Sequence, residues 1–432
     1  MSFYSLPFIT LYIDPGTGGM LFSILFGIFG SLMLFARSLI VKLKFRIGAG
    51  KTDKVLGEAI PIVIFSDHKR YWNVFEPICD KLDKKGIRTV YYTMSEDDPA
   101  LEKKYENITC EFIGEGNKAF AKMNVVGAVI VLSTTPSLDV FQWKRSKRCK
   151  YYIHVPHQPN DITLYRMFGI DFYDSLLLSG DYQKDQIRKL EQLRNEPEKE
   201  IEIVGLPYMD VMKARVDSVK GTMQAKPADA KKTVLLAPSW GKSGVLSVYG
   251  EKMIDALIAT GYDIIIRPHP QSFTSEKEMI DRLMKKYGEG SGVTWNRDND
   301  NFDVLMKSDI MISDFSGVIF DFSLVYDKPV IYTEARIDKA PYDASWIDDE
   351  LWTNKILPHI GRELKDSDLD NIKSVIDECI SSDKYADGRD RARRETWSHP
   401  GEGAQRTADY IADKYKELTT KADSSEEAEA SA

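Results

Sequence analysis

Little in this sequence could build a metal or redox centre. Its 432 residues hold 4 cysteines (Cys79, Cys110, Cys149 and Cys379) without a CxxC pair, and 6 histidines without an HExxH spacing. Cysteines so scattered read as reduced thiols of a cytosolic chain, and no metal site is expected. Positive charge is not in excess either. The 58 Lys and Arg against 66 Asp and Glu leave a formal net charge of −8, which argues against a general nucleic-acid binder. Lysine and arginine are missing altogether ahead of an uncharged apolar run, Met20 to Ala36, whereas Arg37, Lys42, Lys44, Arg46 and Lys51 follow it. A secretory signal has the reverse order, so this run is not one. The positive-inside bias puts its C-terminal side in the cytoplasm. A run of about 17 to 22 residues is at the short end for a span, and Leu39, Ile40 and Val41 extend it. Residues 1–52 are therefore expected to be a transmembrane or membrane-associated helix with a basic juxtamembrane segment that attracts anionic head groups. A long interfacial or partner-binding helix is the alternative.

The rest has an ordinary globular composition, with 43% hydrophobic residues, enough for two cores in a chain of this length. Beyond Gly57, strand and helix patterns alternate. Ile60 to Phe65 reads as a strand and Tyr71 to Lys85 as a helix, followed by the strand runs IRTVYYT, ITCEFI, GAVIVLST, KYYIHV, SLLLSG and IEIVG. This is the βαβ pattern of a parallel sheet covered on both faces. Residues 57–217 form the first such domain, and the polar, Gly- and Pro-containing stretch 218–232 is the linker. A second alternating run fills 233–418, closing with helices at Asp366 to Ser381 and Glu402 to Leu418. Residues 419–432, rich in Ser, Ala and Glu without a large apolar residue, are expected to be a disordered tail. The fold class is thus α/β, with two Rossmann-like, doubly wound domains facing a cleft.

Two turns of the second domain carry chemistry. The strand Ile264–Ile266 stops at Arg267-Pro268-His269-Pro270, which puts a cation and an imidazole at its C-terminal end, where open α/β sheets bind ligands. Strand Asp309 to Ile312 runs into Ser313, Asp314, Ser316 and Gly317 and then an apolar helix from about Val318 to Tyr326. A Ser/Gly turn opening a helix presents free N–H groups and the positive dipole end, which suit phosphate. The two turns together describe a site for a phosphorylated, nucleotide-linked substrate.

Four segments in this order, Ala237-Pro238-Ser239-Trp240, Arg267-Pro268-His269-Pro270, Ser313-Asp314-Phe315-Ser316-Gly317…Phe320-Asp321-Phe322 and Pro329-Val330-Ile331-Tyr332, resemble the signature of the CDP-glycerol glycerophosphotransferase family. These are teichoic-acid primases and polymerases of GT-B fold. The resemblance covers roughly residues 57–415 and is strongest over 233–333. In the first domain the family's W-H-G-T-P-like turn corresponds to His154-Val155-Pro156-His157-Gln158-Pro159, without its Trp and Gly. By the position of the following proline His157 is the better match to the family's histidine, with His154 the alternative. Val204 to Asp210 looks like the family's GYPRND-type segment without its Arg, and Gly317 stands where the family has a second Ser.

The resemblance implies that an acceptor hydroxyl attacks the β-phosphorus of a CDP-activated alcohol and that CMP leaves. His157, with an imidazole pKa near 6.5, would take the proton, and His269 with Arg267 would neutralise the pyrophosphate. Arg267 could instead pair with a structural carboxylate. Ser316 with the N–H groups of Gly317 and Val318 would hold phosphate, a role compatible with a plain N-cap for Ser316. Asp314 would orient His269 or a loop, and Asp321 would support the site or face a ribose. Ser239 and Trp240 sit at another strand end facing the cleft, Trp240 either stacking on a base or packing. Lys242 and Arg297 are either phosphate cations or solvated charges. The donor is CDP-glycerol or a similar CDP-alcohol, the acceptor is lipid-linked or membrane-associated, and no cofactor is implied. The chain is expected at the cell membrane, single-pass or peripheral, with its catalytic domains cytoplasmic. Competing readings are a GT-B glycosyltransferase, a relative of the UDP-sugar 2-epimerases, and a membrane-tethered nucleotide-binding scaffold.

Overall fold

Short apolar runs with no polar alternation form strands covered on both faces, and the computed structural model contains two sheets of them. It describes residues 59–220, 227, 230–298, 300–333 and 337–430, with side chains as far as residue 420. All of the described fold belongs to the unit Ile60–Ala432.

The first sheet holds β1 (Ile60–Ser66), β2 (Thr89–Thr93), β3 (Ile108–Phe112), β4 (Ala128–Ser133), β5 (Cys149–His154), β6 (Ser175–Leu178) and β7 (Glu200–Ile203). Their order is β3-β2-β1-β4-β5-β6-β7, and every pairing is parallel. The second holds β8 (Thr233–Ala237), β9 (Asp263–Ile266), β10 (Val293–Trp295), β11 (Ile310–Ser313), β12 (Val330–Thr333) and β13 (Gly361–Leu364), in the order β10-β9-β8-β11-β12-β13 and again wholly parallel. Chain direction reverses across the sheet between β1 and β4 in the first case and between β8 and β11 in the second. These are the switch points outside which such sheets bind ligands.

Several elements differ from the sequence expectation. The helix after β11 is one α-turn, Val318–Phe320, followed by a π-turn, Asp321–Val325. Helix Pro207–Lys220 runs past residue 218 into the stretch read as linker. The last helix spans Gly403–Ala430. Residues 419–430 of the segment read as a disordered tail are therefore helical, in keeping with the helix propensity of Ala and Glu. The expected N-terminal membrane helix lies outside the described residues, among which no helix is long and apolar enough to cross a membrane.

The C-terminal helices return to the first sheet. Helix Gly403–Ala430 packs on helix Trp72–Lys84 and against β4. Two buried aspartates fasten the halves. Asp161, 3% exposed, accepts the N–H of Trp352 (2.7 Å) and of Thr353 (2.9 Å) and the Thr353 hydroxyl (2.6 Å), and so caps helix Trp352–Ile360 from the first half. Asp343 accepts the N–H of Phe168 (2.7 Å) and Gly169 (3.2 Å) and pairs with Arg194. Each acceptor answers backbone donors that would otherwise be buried unpaired. Asp161→Ala is therefore expected to destabilise the fold by about 2–4 kcal/mol, and Asp161→Asn by less, in denaturant unfolding. Equal stability of the alanine variant and wild type would contradict the clasp.

Candidate functional site

The first half of the site grows from the ends of β4 and β5. Ser133 and His154 are register partners, so the residues after them run on side by side at the sheet's C-terminal edge. There Thr134 Oγ1 lies 2.8 Å from His157 Nδ1, the Tyr165 hydroxyl 3.4 Å from the same nitrogen, and the Tyr71 ring 4.9 Å from the imidazole, centroid to centroid. With Nδ1 so engaged, Nε2 is the nitrogen left to meet a substrate. Burial, and then the charge of Arg70, bring the His157 pKa down to about 4 rather than the 6.5 expected of a free imidazole. The ring is neutral at pH 7 and can accept a proton.

His154, the alternative, is 0% exposed. Tyr165 and Tyr173 stand edge-on to it at 5.3 and 5.2 Å, and neither ring nitrogen has a side-chain hydrogen-bond partner among the described residues. Burial lowers its pKa to about 3. It is a core histidine enclosed by aromatic rings.

In the second half a single carboxylate sets the geometry. Asp314, 0% exposed, accepts the N–H groups of Ser239 (3.0 Å), Val245 (2.9 Å) and Ser316 (3.0 Å). It ties the turn after β8 and the start of helix Val245–Ala259 to the turn after β11. Burial raises its pKa, and the three donors oppose the shift. Ser313 is spent on the same frame, its hydroxyl donating to the Ala237 carbonyl (2.6 Å). Ser239 is 8% exposed with its hydroxyl unpartnered, and Trp240 beside it is 41% exposed. Because Asp314 takes the Ser316 N–H, the next donors of the turn are those of Gly317 and Val318, first-turn groups with no acceptor among the described residues.

Arg267 and His269 follow β9. The Arg267 guanidinium bonds the Asn296 side chain and makes no ion pair among the described residues. His269 Nδ1 accepts the Gln271 N–H at 3.1 Å. A neutral imidazole that accepts at Nδ1 carries its proton on Nε2, so His269 presents an N–H outward. Burial first and Arg70 second hold its pKa to about 4. Asp321 faces the interior. Tyr208 donates to it at 2.8 Å, and burial raises its pKa to about 7.

The halves meet at Gly317, where an added β-carbon would come within 2.8 Å of Gln158 Oε1 and 3.5 Å of the Asn160 side-chain amide. The loop carrying His157 is therefore seated on the turn carrying Ser316, and a serine at 317 would make the end of the flexible Gln158 side chain move aside. Asn160 Oδ1 is buried there without a partner. Sequence reasoning missed Arg70, Thr134, Tyr165, Gln158 and Asn160. The polar run Ser66 to Arg70 directly after an apolar strand was a legible signal for the first of these.

Beside this junction a cleft of 670 Å³ opens at the ends of β1 and β2, lined by Asp67, His68, Lys69, Ser95, Glu96 and Asp97 among others. Among the described residues no group of three or more His, Cys, Asp or Glu side chains is placed to hold a metal ion.

The sequence profile of the CDP-glycerol:poly(glycerophosphate) glycerophosphotransferase family matches residues 167–406. No curated protein sequence matches the chain significantly. Among solved structures, the wall teichoic acid polymerase TagF, in crystals soaked with CDPG, superposes with a TM-score of 0.50 at 18% identity, covering 83% of this chain and 89% of that one. S. aureus MnaA, solved with UDP, gives 0.52 at 13% identity, covering 84% and 98%. At these identities the likeness is one of fold, a GT-B-like pair of Rossmann-like sheets.

The depressed imidazoles carry a stability consequence. His154, His157 and His269 are neutral in the folded chain down to pH values of about 3 to 4, whereas the unfolded chain protonates them near 6.5. The unfolded state binds more protons in that window, so stability is full above it and falls as pH drops through it. The melting temperature is expected to fall between pH 7.5 and 5, and His154→Phe, which fills the same space, should lessen the loss. A variant with the whole wild-type loss would contradict this assignment for His154.

Proposed function

This chain belongs to the CDP-glycerol:poly(glycerophosphate) glycerophosphotransferase family, and we propose that it transfers glycerol phosphate, or a related polyol phosphate, from a CDP-activated donor to a hydroxyl of a membrane-associated acceptor in cell-surface polymer synthesis. The observation that carries this reading is the junction at Gly317, where the histidine loop of one sheet meets the N–H-presenting turn of the other. Phosphoryl transfer asks for positioned groups and charge stabilisation more than for covalent chemistry, and the seating of the two loops supports that reading.

In this mechanism the acceptor oxygen forms a bond to the donor's β-phosphorus while His157 Nε2 takes the hydroxyl proton. Thr134 and Tyr165 at Nδ1 keep the ring turned so that Nε2 faces the acceptor. The bond between the β-phosphorus and the bridging oxygen breaks, and CMP leaves with the electron pair. His269 Nε2–H and Arg267 meet the charge that builds on the departing phosphate, with the N–H groups of Gly317 and Val318 on the phosphoryl oxygens. His269 acts here as a neutral donor, since its depressed pKa leaves it uncharged before substrate arrives. Ser316 contributes a hydroxyl to the same anion. Asp314 and Ser313 hold the turns in place, and Asp321 acts through Tyr208 on the packing beneath them. Ser239 and Trp240 line the donor side of the cleft.

Residues 1–52 would attach the enzyme to the membrane, where a lipid-linked acceptor is met at high effective concentration. The full-length chain is then expected to pellet with membranes through a high-salt wash, and recovery in the supernatant would remove the anchor from the account.

The reading is tested by nucleotide release from CDP-glycerol, CDP-ribitol and UDP-N-acetylglucosamine, each with a membrane extract as acceptor. CMP release that falls by about 10²- to 10⁴-fold in His157→Ala and in His269→Ala is the expected result. UMP or UDP instead would move the chain to the sugar-handling enzymes of this fold. Nucleotide binding without turnover of any donor would make it a scaffold.

A further inference from the structure

Arg70 has no place in the mechanism above, yet it stands at the first sheet's switch point. β1 ends at Ser66, and residues Lys69–Tyr71 form a single turn that leads into helix Trp72–Lys84. The turn is pinned from below: His68 Nδ1 accepts the Arg70 N–H at 3.1 Å, and Ser66 Oγ donates to the His68 carbonyl at 2.9 Å. The Arg70 side chain is exposed, with its guanidinium 5.2 Å from the centre of the Tyr71 ring, and that ring in turn lies 4.9 Å from the His157 imidazole. Lys69, next to it, pairs with Asp97 on the side of the open cleft. Arg70 makes no ion pair among the described residues, and the carboxylate of Asp67 feels its charge without approaching to ion-pair distance.

We propose that Arg70 is the cation that the first half contributes to the transferring phosphoryl group, facing its non-bridging oxygens from the side of the attacking hydroxyl. The inference rests on the phosphotransferase reading. It follows from where charge is available. The Arg70 guanidinium lies over the Tyr71 ring and that ring against the His157 imidazole, which places the cation one ring away from the group that takes the proton, and its charge is felt at His269 as well. A phosphoryl group passing between those two histidines crosses that same field. Both imidazoles are neutral, and Arg267 is held back by Asn296 on the β9 side. On the side of the His157 loop the neighbouring cation, Lys69, is already paired with Asp97, which leaves Arg70 without an ion pair among the described residues. In a loose transition state the negative charge is spread over the three non-bridging oxygens while the acceptor–phosphorus bond forms and the bond to CMP breaks. An arginine fork suits two such oxygens, and its own exposure leaves it free to swing onto them.

The test is CMP release by full-length protein from CDP-glycerol, with wild type, Arg70→Ala and Arg70→Lys in parallel. For Arg70→Ala the expected result is a kcat lowered by at least about 10²-fold with KM changed by less than about threefold. Arg70→Lys should fall between, and added guanidinium at millimolar concentration should restore part of the rate of the alanine variant only. Since Arg70 is exposed, the melting temperatures should coincide. A kcat for Arg70→Ala within about threefold of wild type would overturn the assignment. So would a loss of rate that tracks a lowered melting temperature without guanidinium rescue, because that marks a structural role. A wild type that turns over neither CDP-glycerol nor CDP-ribitol with a membrane extract as acceptor would overturn the reading on which the assignment rests, and the assignment with it.

Discussion

One buried carboxylate holds the turns of the second sheet together. Asp314 sits at the C-terminal end of the central strand β11 and collects three backbone N–H groups from two different turns. A charge so placed is tolerated because its donors replace the water it lost. The same solution recurs wherever loops must be fixed without side-chain bulk. Asp161 caps helix Trp352–Ile360, Asp343 gathers Phe168 and Gly169, and Asp210 accepts the N–H groups of Gly401 (2.7 Å) and Gly403 (3.0 Å) together with the Trp397 indole. Three of these cross from one half of the unit to the other. They lock the C-terminal helices onto the first sheet, so that the His157 loop and the Ser316 turn keep their register.

The electrostatics of the junction follow from that closure. Burial first and the charge of Arg70 second lower the basicity of His157 and His269 to about 4, so both are neutral at pH 7. A neutral His157 is a competent proton acceptor, and a neutral His269 with its proton on Nε2 is a donor that does not have to be charged first. The site then relies on N–H groups and arginines for its positive potential. Burial that weakens a base would be a handicap in isolation. On the proposed reading the donor's phosphates supply the opposite charge that restores it as the complex forms.

Much of this was legible in the sequence, and for identifiable reasons. Both sheets announce themselves through unbroken apolar runs such as Ile62–Phe65 and Ile264–Ile266, because strands buried on two faces need no alternation. Arg267, His269, Ser316 and Gly317 could be placed at strand ends because Pro, Ser and Gly punctuate those ends. What escaped was whatever depends on distant parts of the chain. Gln158 against Gly317 is a contact across more than 150 residues, and no local pattern encodes it. Helix Trp352–Ile360 went unread because it contains Pro358 and is capped from the other half by Asp161. Helix Ala386–Thr396 is too charged for an apolar stripe to show, and is held by Arg389 and Arg393 on Asp327. His157 was expected to titrate near 6.5, since nothing local reveals the hydroxyls and rings that bury it.

The central claim is that a neutral, desolvated His157 accepts the proton from the attacking hydroxyl. The measurement that tests it most directly is the pH dependence of kcat/KM for CMP release from CDP-glycerol, which reports the base in the free enzyme. The account predicts an acid limb well below the ordinary imidazole range, close to pH 4, so that the rate is flat across pH 6 to 7.5. An acid limb at about 6.5, where an unburied imidazole titrates, would contradict it.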